Sequence, residues 1–127
     1  MTSTSPKYIF IVDDDPMLTE SLSDYLTRDI AHRVRTFSTG EECLQHLDEH
    51  PDVIILDYHL NSVQREAANG MEILSQLKKA APSAHVIMLS SQEHYGVAMK
   101  TIIKGAEQYV IKDEDSYTKI DKMIAEM

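Results

Sequence analysis

Three short apolar runs in this sequence each stop at a charged side chain. The runs cover residues 9–12, 53–56 and 109–111, and the residues that follow them are Asp13, Asp57 and Lys112. Apolar runs of this length, separated by helix-like segments, are typical of buried parallel strands. Because ligands bind beyond the carboxyl ends of the strands in an open parallel sheet, we expect the three charged groups to meet at one edge.

The remaining patterns divide the chain into five strand–helix units. We predict strands over residues 8–12, 33–37, 53–56, 85–89 and 108–111, and helices that begin near residues 16, 40, 70, 92 and 115. The strict alternation predicts an α/β fold of three layers. Its core is a doubly wound (βα)5 sheet of five parallel strands in the order 2-1-3-4-5, with helices on both faces.

Several residues mark the helix boundaries. Asp15 is expected to cap the first helix, and Thr39 and Glu42 are spaced for a reciprocal capping box at the second. The second helix is expected to close near Pro51. Gly105 is expected to end the fourth helix, which is predicted over residues 92–104, in a left-handed conformation.

Composition narrows the functional classes. A chain of 127 residues is one domain, with residues 1–7 as a flexible leader and 8–127 as the folded unit. The net charge of −9, without a basic cluster, argues against direct binding to nucleic acid or to a membrane surface. No apolar stretch approaches the ~20 residues of a membrane span. Cys43 is the single cysteine and excludes a disulfide framework, so we expect a cytoplasmic setting.

Asp13, Asp14 and Asp57 indicate a cation site. Asp13 and Asp14 follow the first strand and Asp57 the third, and these strands are neighbours in the predicted order. Three carboxylates this close raise one another's pKa values unless a cation lies among them. Mg²⁺ fits, because proteins hold it with one or two carboxylates together with waters and phosphate oxygens. The alternative is that strand-end aspartates cap the following helices, which is the role we expect of Asp15.

The fourth and fifth strands bring Ser90 and Lys112 to the same edge. A hydroxyl and an ammonium at adjacent strand ends can each bond an oxygen of a phosphoryl group. Taken singly, Ser90 is equally explained as a helix cap and Lys112 as a solvated surface residue. Together with the carboxylates, they favour a site for a cation and a phosphoryl group.

In four segments the chain resembles the response-regulator receiver domain, the CheY-like family. The segments are residues 11–16, 51–57, 86–90 and 105–112, and the resemblance extends over residues 8–126. It implies a flavodoxin-like fold and a phosphoacceptor signalling domain that assists its own phosphorylation and dephosphorylation but is not an enzyme. Asp57 would accept a phosphoryl group from a histidine kinase or a phosphotransfer protein, with Mg²⁺ as cofactor.

The resemblance also implies how the metal is held. Asp14, Asp57 and the backbone carbonyl of His59 would bind Mg²⁺, and Asp13 would act through a coordinated water. His59 and Gln92 would flank the water that attacks the phosphoryl group and would set the rate of dephosphorylation.

A further set of implied roles concerns signalling. Ser90 and Lys112 would each bond a phosphoryl oxygen, and Tyr109 would follow Ser90 from an exposed to a buried rotamer. This switch would change the surface of the fourth helix, fifth strand and fifth helix, which would contact a downstream protein or a linked output domain. A phosphorylation-dependent homodimer is a further option. The side chains that we assign to this surface are Tyr95, Met99, Tyr109 and Tyr117.

The chain departs from the family pattern at two places. The segment after Asp57, residues 61–69, is about five residues longer than usual, and loops of that length are often functional or mobile. An idle surface insertion explains it equally well. Asp113 stands where many relatives carry a proline in a cis bond. Because a cis bond before any other residue costs about 3–4 kcal/mol, the isomer of the Lys112–Asp113 bond stays open.

Two other functions fit part of the sequence. Asp13 and Asp15 also match the Asp-x-Asp of haloacid-dehalogenase-type phosphatases, but that interpretation leaves Asp57 unexplained, and only 15 residues follow Lys112. The second alternative is a pseudo-receiver that docks a partner without being phosphorylated, although all five working side chains are present. The sequence does not decide between a stand-alone receiver and one piece of a larger regulator.

Overall fold

A five-stranded parallel sheet forms the centre of the molecule. The computed structural model describes residues 5–60, 69–91, 100–102 and 105–127. The strands are β1 (Tyr8–Val12), β2 (Arg33–Phe37), β3 (Val53–Asp57), β4 (His85–Ser90) and β5 (Gln108–Ile111). All of them pair in parallel, and the order β2-β1-β3-β4-β5 confirms the prediction. β3 and β4 each run one residue further than predicted, so Asp57 and Ser90 are the last residues of their strands.

Helices cover both faces of the sheet. The described helices are α1 (Pro16–Leu26), α2 (Gly40–Leu44), α3 (Gly70–Ala80) and a C-terminal helix (Ser116–Ala125), with a short 3-10 turn at Leu47–Glu49. Side chains alternate between the two faces along each strand. One set packs with α2 and α3 in a cluster that includes Leu56 and Leu74, and the other packs with α1 and the C-terminal helix around Ile11 and Ile120. The three-layer α/β prediction is confirmed.

The predicted fourth helix, residues 92–104, lies largely outside the described residues. Residues 100–102 are helical, and the Gly105 that follows has a φ of +112°. This is the left-handed conformation predicted for the end of that helix, and glycine adopts it without strain. Within the described ranges, no helix combines the length and the apolar character that a membrane span requires.

The helix caps follow the prediction in part. The Asp15 carboxylate accepts a hydrogen bond from the backbone N–H of Met17 at 3.0 Å, and the Thr39 hydroxyl accepts one from the N–H of Glu42 at 3.2 Å. A cap of this kind stabilises a helix by about 1 kcal/mol. The reciprocal bond expected of Glu42 does not form, because its carboxylate accepts a hydrogen bond from the Ser38 hydroxyl at 3.2 Å instead.

The second helix is shorter than predicted, since α2 ends at Leu44. In a continuing α-helix the backbone N–H of His46 would bond to the Glu42 carbonyl. Here the Nδ1 atom of His46 bonds to that carbonyl at 2.8 Å, and the His46 N–H bonds to the Cys43 carbonyl at 3.0 Å. The imidazole thus replaces the backbone donor, and the chain tightens into the 3-10 turn.

Candidate functional site

Three carboxylates meet where β1 and β3 end. Val12 and Leu56 are partners in the register of the two strands, so the next residues, Asp13 and Asp57, lie side by side. Carboxylate oxygens of Asp13, Asp14 and Asp57 all lie within 4.8 Å of one another. Among the residues that the structure describes, they form the only such group of metal-ligating side chains. The structure thus brings together the carboxylates that the strand pattern placed at one edge.

Lys112 reaches this group from the end of β5. Its Nζ lies 3.1 Å from Oδ2 of Asp13 and 3.1 Å from Oδ1 of Asp57, and its side chain is 25% exposed. Burial disfavours the charged ammonium, but the attraction of Asp57 and Asp13 outweighs this effect and raises the pKa of Lys112. The ammonium is therefore a fixed positive charge between carboxylates of two strands.

The Asp13 carboxylate is only partly satisfied by the protein. Its Oδ1 accepts a hydrogen bond from the backbone N–H of Asp15 at 2.9 Å. Its Oδ2 is buried and has no hydrogen-bond partner in the described part of the chain, although the Lys112 ammonium lies near it. Burial, followed by repulsion from Asp57, raises the pKa of Asp13 to about 6. A buried carboxylate oxygen whose one near neighbour is an ammonium, and which makes no hydrogen bond of good geometry, fits a metal cation as a further partner.

Gly70 holds the segment that follows β3 in place. Its N–H donates to the Tyr58 carbonyl at 2.9 Å, and an added Cβ would lie 2.4 Å from the Asp57 carbonyl oxygen. Only glycine permits this approach, because the atoms that it meets belong to the backbone. The Oδ1 atom of Asp57 in turn accepts a hydrogen bond from the His59 N–H at 3.2 Å. The sequence pattern predicted Gly70 only as a helix start, and with 12 residues between it and Asp57 nothing in the sequence indicated this contact.

Ser90, the last residue of β4, is linked to Tyr109, the second residue of β5. Ser90 is buried, and Tyr109 is half-buried against the apolar cluster on the α2–α3 face. Burial raises the pKa of Tyr109, and a side-chain hydrogen bond from Ser90 partly offsets the rise. A movement of the Ser90 hydroxyl would therefore reach Tyr109 directly.

The peptide bond between Lys112 and Asp113 is trans, as are the other described peptide bonds. The backbone N–H of Lys112 donates to the Ser90 carbonyl at 2.7 Å, and the Asp113 carboxylate accepts a hydrogen bond from the N–H of Asp115 at 2.9 Å. Asp113 thus guides the chain toward the C-terminal helix at the position where many relatives carry a proline.

Some residues with predicted roles, in dephosphorylation, in the output surface or in the long loop, lie outside the described residues. They are Gln92, Tyr95 and Met99, together with residues 61–68 of the long loop. Tyr117 is described, and its predicted place on the β5 side needs correction. Its hydroxyl hydrogen-bonds to that of Ser21 at 2.5 Å, and its ring centroid lies 5.7 Å from that of Tyr25, so it faces α1. The reason is helical spacing, because Tyr117 precedes the buried Ile120 by three residues and shares its core-facing stripe.

The fold and the site together define a class of protein. A doubly wound sheet carries three carboxylates and one lysine at its carboxyl edge, a set of groups whose chemistry suits a cation and a phosphoryl group. The sequence profile of the response regulator receiver domain matches residues 9–125. The chain belongs to this family, and it is a receiver domain of two-component signalling.

Comparisons with individual proteins support the assignment to this family. The chain is 29% identical over 106 residues to the transcriptional regulatory protein MalR of Bacillus subtilis. The aligned residues are 82% of this chain and 43% of MalR. It is 29% identical over 105 residues to the chemotaxis protein CheY of Listeria monocytogenes. Here the aligned residues are 82% of this chain and 84% of CheY. The BeF3-activated receiver domain of DrrB superposes with a TM-score of 0.78 and 29% identity over 94% of each chain. The chain thus spans less than half the length of MalR.

The phosphatase alternative is not favoured. It gave no role to Asp57, whereas the structure places the Asp57 carboxylate within 4.8 Å of those of Asp13 and Asp14. The family match over residues 9–125 is to the receiver domain.

Proposed function

We propose that Asp57 accepts a phosphoryl group from a histidine kinase or a phosphotransfer protein. The supporting observation is the position of its Oδ1, which lies 3.1 Å from the Lys112 ammonium and within the group of three carboxylates. An in-line attack by this carboxylate needs positioning and charge neutralisation more than covalent help from the protein. As the bond from Asp57 to phosphorus forms, the bond from the donor nitrogen to phosphorus breaks, and the product is an acyl phosphate. The domain thereby assists its own modification.

Mg²⁺ is the cofactor that these residues fit. Asp14, Asp57 and the backbone carbonyl of His59 would hold it, with Asp13 acting through a coordinated water. Two observations support this assignment: the ligand set consists of oxygens, and the buried Oδ2 of Asp13 makes no hydrogen bond of good geometry in the described part of the chain, although the Lys112 ammonium lies near it. When bound, Mg²⁺ supplies positive charge that neutralises the carboxylates and the phosphoryl oxygens.

Lys112 and Ser90 hold the phosphoryl oxygens after the transfer. The Lys112 ammonium already contacts Asp57, so it can exchange a carboxylate oxygen for a phosphoryl oxygen with little movement. Ser90 has a single hydroxyl proton, and donating it to the phosphoryl group withdraws it from Tyr109. The pair thus carries a local charge change at Asp57 to β5, where Tyr109 acts as the switch.

The switched surface comprises the fourth helix, β5 and the β5 side of the C-terminal helix. It contacts a downstream protein target or a linked output domain, or a second copy in a phosphorylation-dependent homodimer. MalR, a transcriptional regulator matched over only 43% of its length, supports a linked output domain, whereas CheY, matched over 84%, supports a separate target. His59 and Gln92 set the lifetime of the phosphoryl group. The receiver occupies residues 8–127 behind a leader of 1–7 and works in the cytoplasm.

Intact-mass analysis tests the assignment of Asp57. Acetyl phosphate with Mg²⁺ should add one phosphoryl group to the wild-type protein and none to Asp57→Asn. Asp15→Asn is the matched control, because asparagine caps α1 as well as aspartate does and labelling should persist.

Three results would contradict the proposal. Equal labelling of the wild type and Asp57→Asn would refute Asp57 as the acceptor. Failure of the wild type to label would favour a docking module. Sustained turnover of p-nitrophenyl phosphate that Asp13→Asn abolishes and Asp57→Asn does not would restore the phosphatase.

A further inference from the structure

Tyr58 is held rigidly next to Asp57. Its N–H donates to the Leu89 carbonyl at 3.0 Å, and its carbonyl accepts a hydrogen bond from the Gly70 N–H at 2.9 Å. With both backbone groups bonded, the direction of its Cα–Cβ bond is set by β4 and α3. The backbone of Tyr58 is therefore fixed next to the site.

The strand register places Tyr58 on the same face of the sheet as Ser90 and Tyr109. Asp57 and Leu89 are partners across β3 and β4, so Tyr58 stands opposite Ser90. The register of β4 with β5 puts Tyr109 on the same face of the sheet as Ser90. The packing agrees with the register, since Tyr58 and Tyr109 are both half-buried against the apolar cluster on the α2–α3 face.

An electrostatic effect on Tyr109 and a ring contact with His59 give further information on the Tyr58 side chain. Burial is the main cause that raises the pKa of Tyr109, and the Tyr58 phenol adds to that rise against the opposing hydrogen bond from Ser90. This effect agrees with the packing of both side chains against the same apolar cluster. On its other side, the Tyr58 ring meets the ring of His59 edge to face, with 4.8 Å between the centroids.

We propose that Tyr58 is a positioning residue whose ring keeps Tyr109 within hydrogen-bond range of Ser90. The inference rests on the proposed function, because it concerns the step that follows phosphoryl transfer. Without the ring, Tyr109 loses a wall of its binding space and moves away from Ser90. Asp57 and Lys112 keep their places, so the transfer continues while β5 no longer responds to it.

Tyrosine ring signals in the NMR spectrum of the full chain test this role, with Tyr109→Phe assigning the Tyr109 signal. Tyr58→Ala should shift the Tyr109 signal toward that of a solvent-exposed tyrosine before any addition. It should also abolish the further shift on adding BeF3 with Mg²⁺. Tyr58→Phe retains the ring. It should therefore leave the Tyr109 signal at its wild-type position both before and after BeF3 and Mg²⁺ are added. Tyr25→Ala, which removes a half-buried tyrosine on the opposite face, is the control and should leave Tyr109 unchanged.

An unchanged Tyr109 signal in Tyr58→Ala would overturn the inference, as would loss of the response in Tyr58→Phe. If the alanine variant does not fold, Tyr58→Leu replaces it with the same expected shift. Intact-mass labelling of Asp57 is measured in parallel. Normal labelling with a lost Tyr109 response supports the positioning role. A wild-type protein that never labels counts against the proposed function only, and the Tyr109 shift before any addition then decides the inference.

Discussion

Two clusters of charged side chains in this molecule differ in how completely they are neutralised. The first, at the carboxyl edge of the sheet, sets three carboxylates against the one ammonium of Lys112. The second, between β2 and the 3-10 turn, pairs Arg35 with Glu49 and adds a hydrogen bond from the Tyr8 hydroxyl. The first is largely buried and carries excess negative charge, whereas the second is partly exposed and balanced.

This difference separates a functional site from a structural contact. Buried charge without compensation lowers the stability of the fold, and such groups are concentrated where a ligand or a reaction needs them. A balanced pair at the surface costs little and contributes little. The carboxylate group around Asp57 is therefore the place where a cation and a phosphoryl group supply what the protein lacks.

Removing the ammonium of the first cluster should have the largest effect. Lys112→Met keeps most of the side-chain length but leaves Asp13 and Asp57 without a counter-charge. In metal-free buffer we expect the free energy of unfolding to fall by roughly 2–3 kcal/mol, which allows for the partial exposure of the lysine. Urea denaturation measures the loss, and added Mg²⁺ should reduce it. A loss that Mg²⁺ leaves unchanged would mean that the cation and the ammonium do not act on the same carboxylates.

A smaller effect of opposite sign is expected at Asp13. Its pKa of about 6 lies above the ordinary 3.8, so the folded protein binds the proton more tightly than the unfolded chain does. Metal-free stability should therefore fall as pH rises from about 4 to about 6 and stay low above that range. Asp13→Asn removes this titration and should be more stable than the wild type by roughly 2 kcal/mol at about pH 7.5. Denaturation curves of the two proteins should converge near pH ~4, and a constant difference at every pH would contradict this account.

The smallest effect is expected in the second cluster. Arg35→Met and Glu49→Gln break a balanced surface pair, so we expect little change in stability and none in the labelling of Asp57. The same urea and intact-mass measurements apply. If breaking this pair proved as costly as losing Lys112, the distinction between the two clusters would not hold.

Most of the fold could be predicted because its patterns are local. The apolar run before Asp57 is buried along its whole length, and Asp15 caps α1 as predicted. The alternation of side chains along a strand and the end of a strand depend on residues near in the chain. The left-handed conformation of Gly105 was predicted from the same kind of local pattern. The convergence of Asp13, Asp57 and Lys112 followed from one further rule, that parallel strands end at the same edge.

Two wrong predictions, the end of α2 and the position of Tyr117, have a common cause. Each depends on which of several possible contacts a side chain makes. The His46 ring hydrogen-bonds to the Glu42 carbonyl, and α2 ends at Leu44, before the predicted end near Pro51. The Tyr117 ring packed on α1, although its helix also borders β5. In both cases the backbone pattern allowed more than one outcome, and packing decided between them.

The sequence by itself determined which charged residues follow which strands, because the periods of strands and helices are properties of short segments. Only the tertiary structure decided that the Lys112 ammonium lies 3.1 Å from an oxygen of Asp13 and 3.1 Å from an oxygen of Asp57. It also decided that Tyr58 and Tyr109 pack against the same apolar cluster, on the face of the sheet that carries Ser90. These distances depend on the register of strands that are far apart in the chain, and register is set only when the two apolar faces of the sheet are packed.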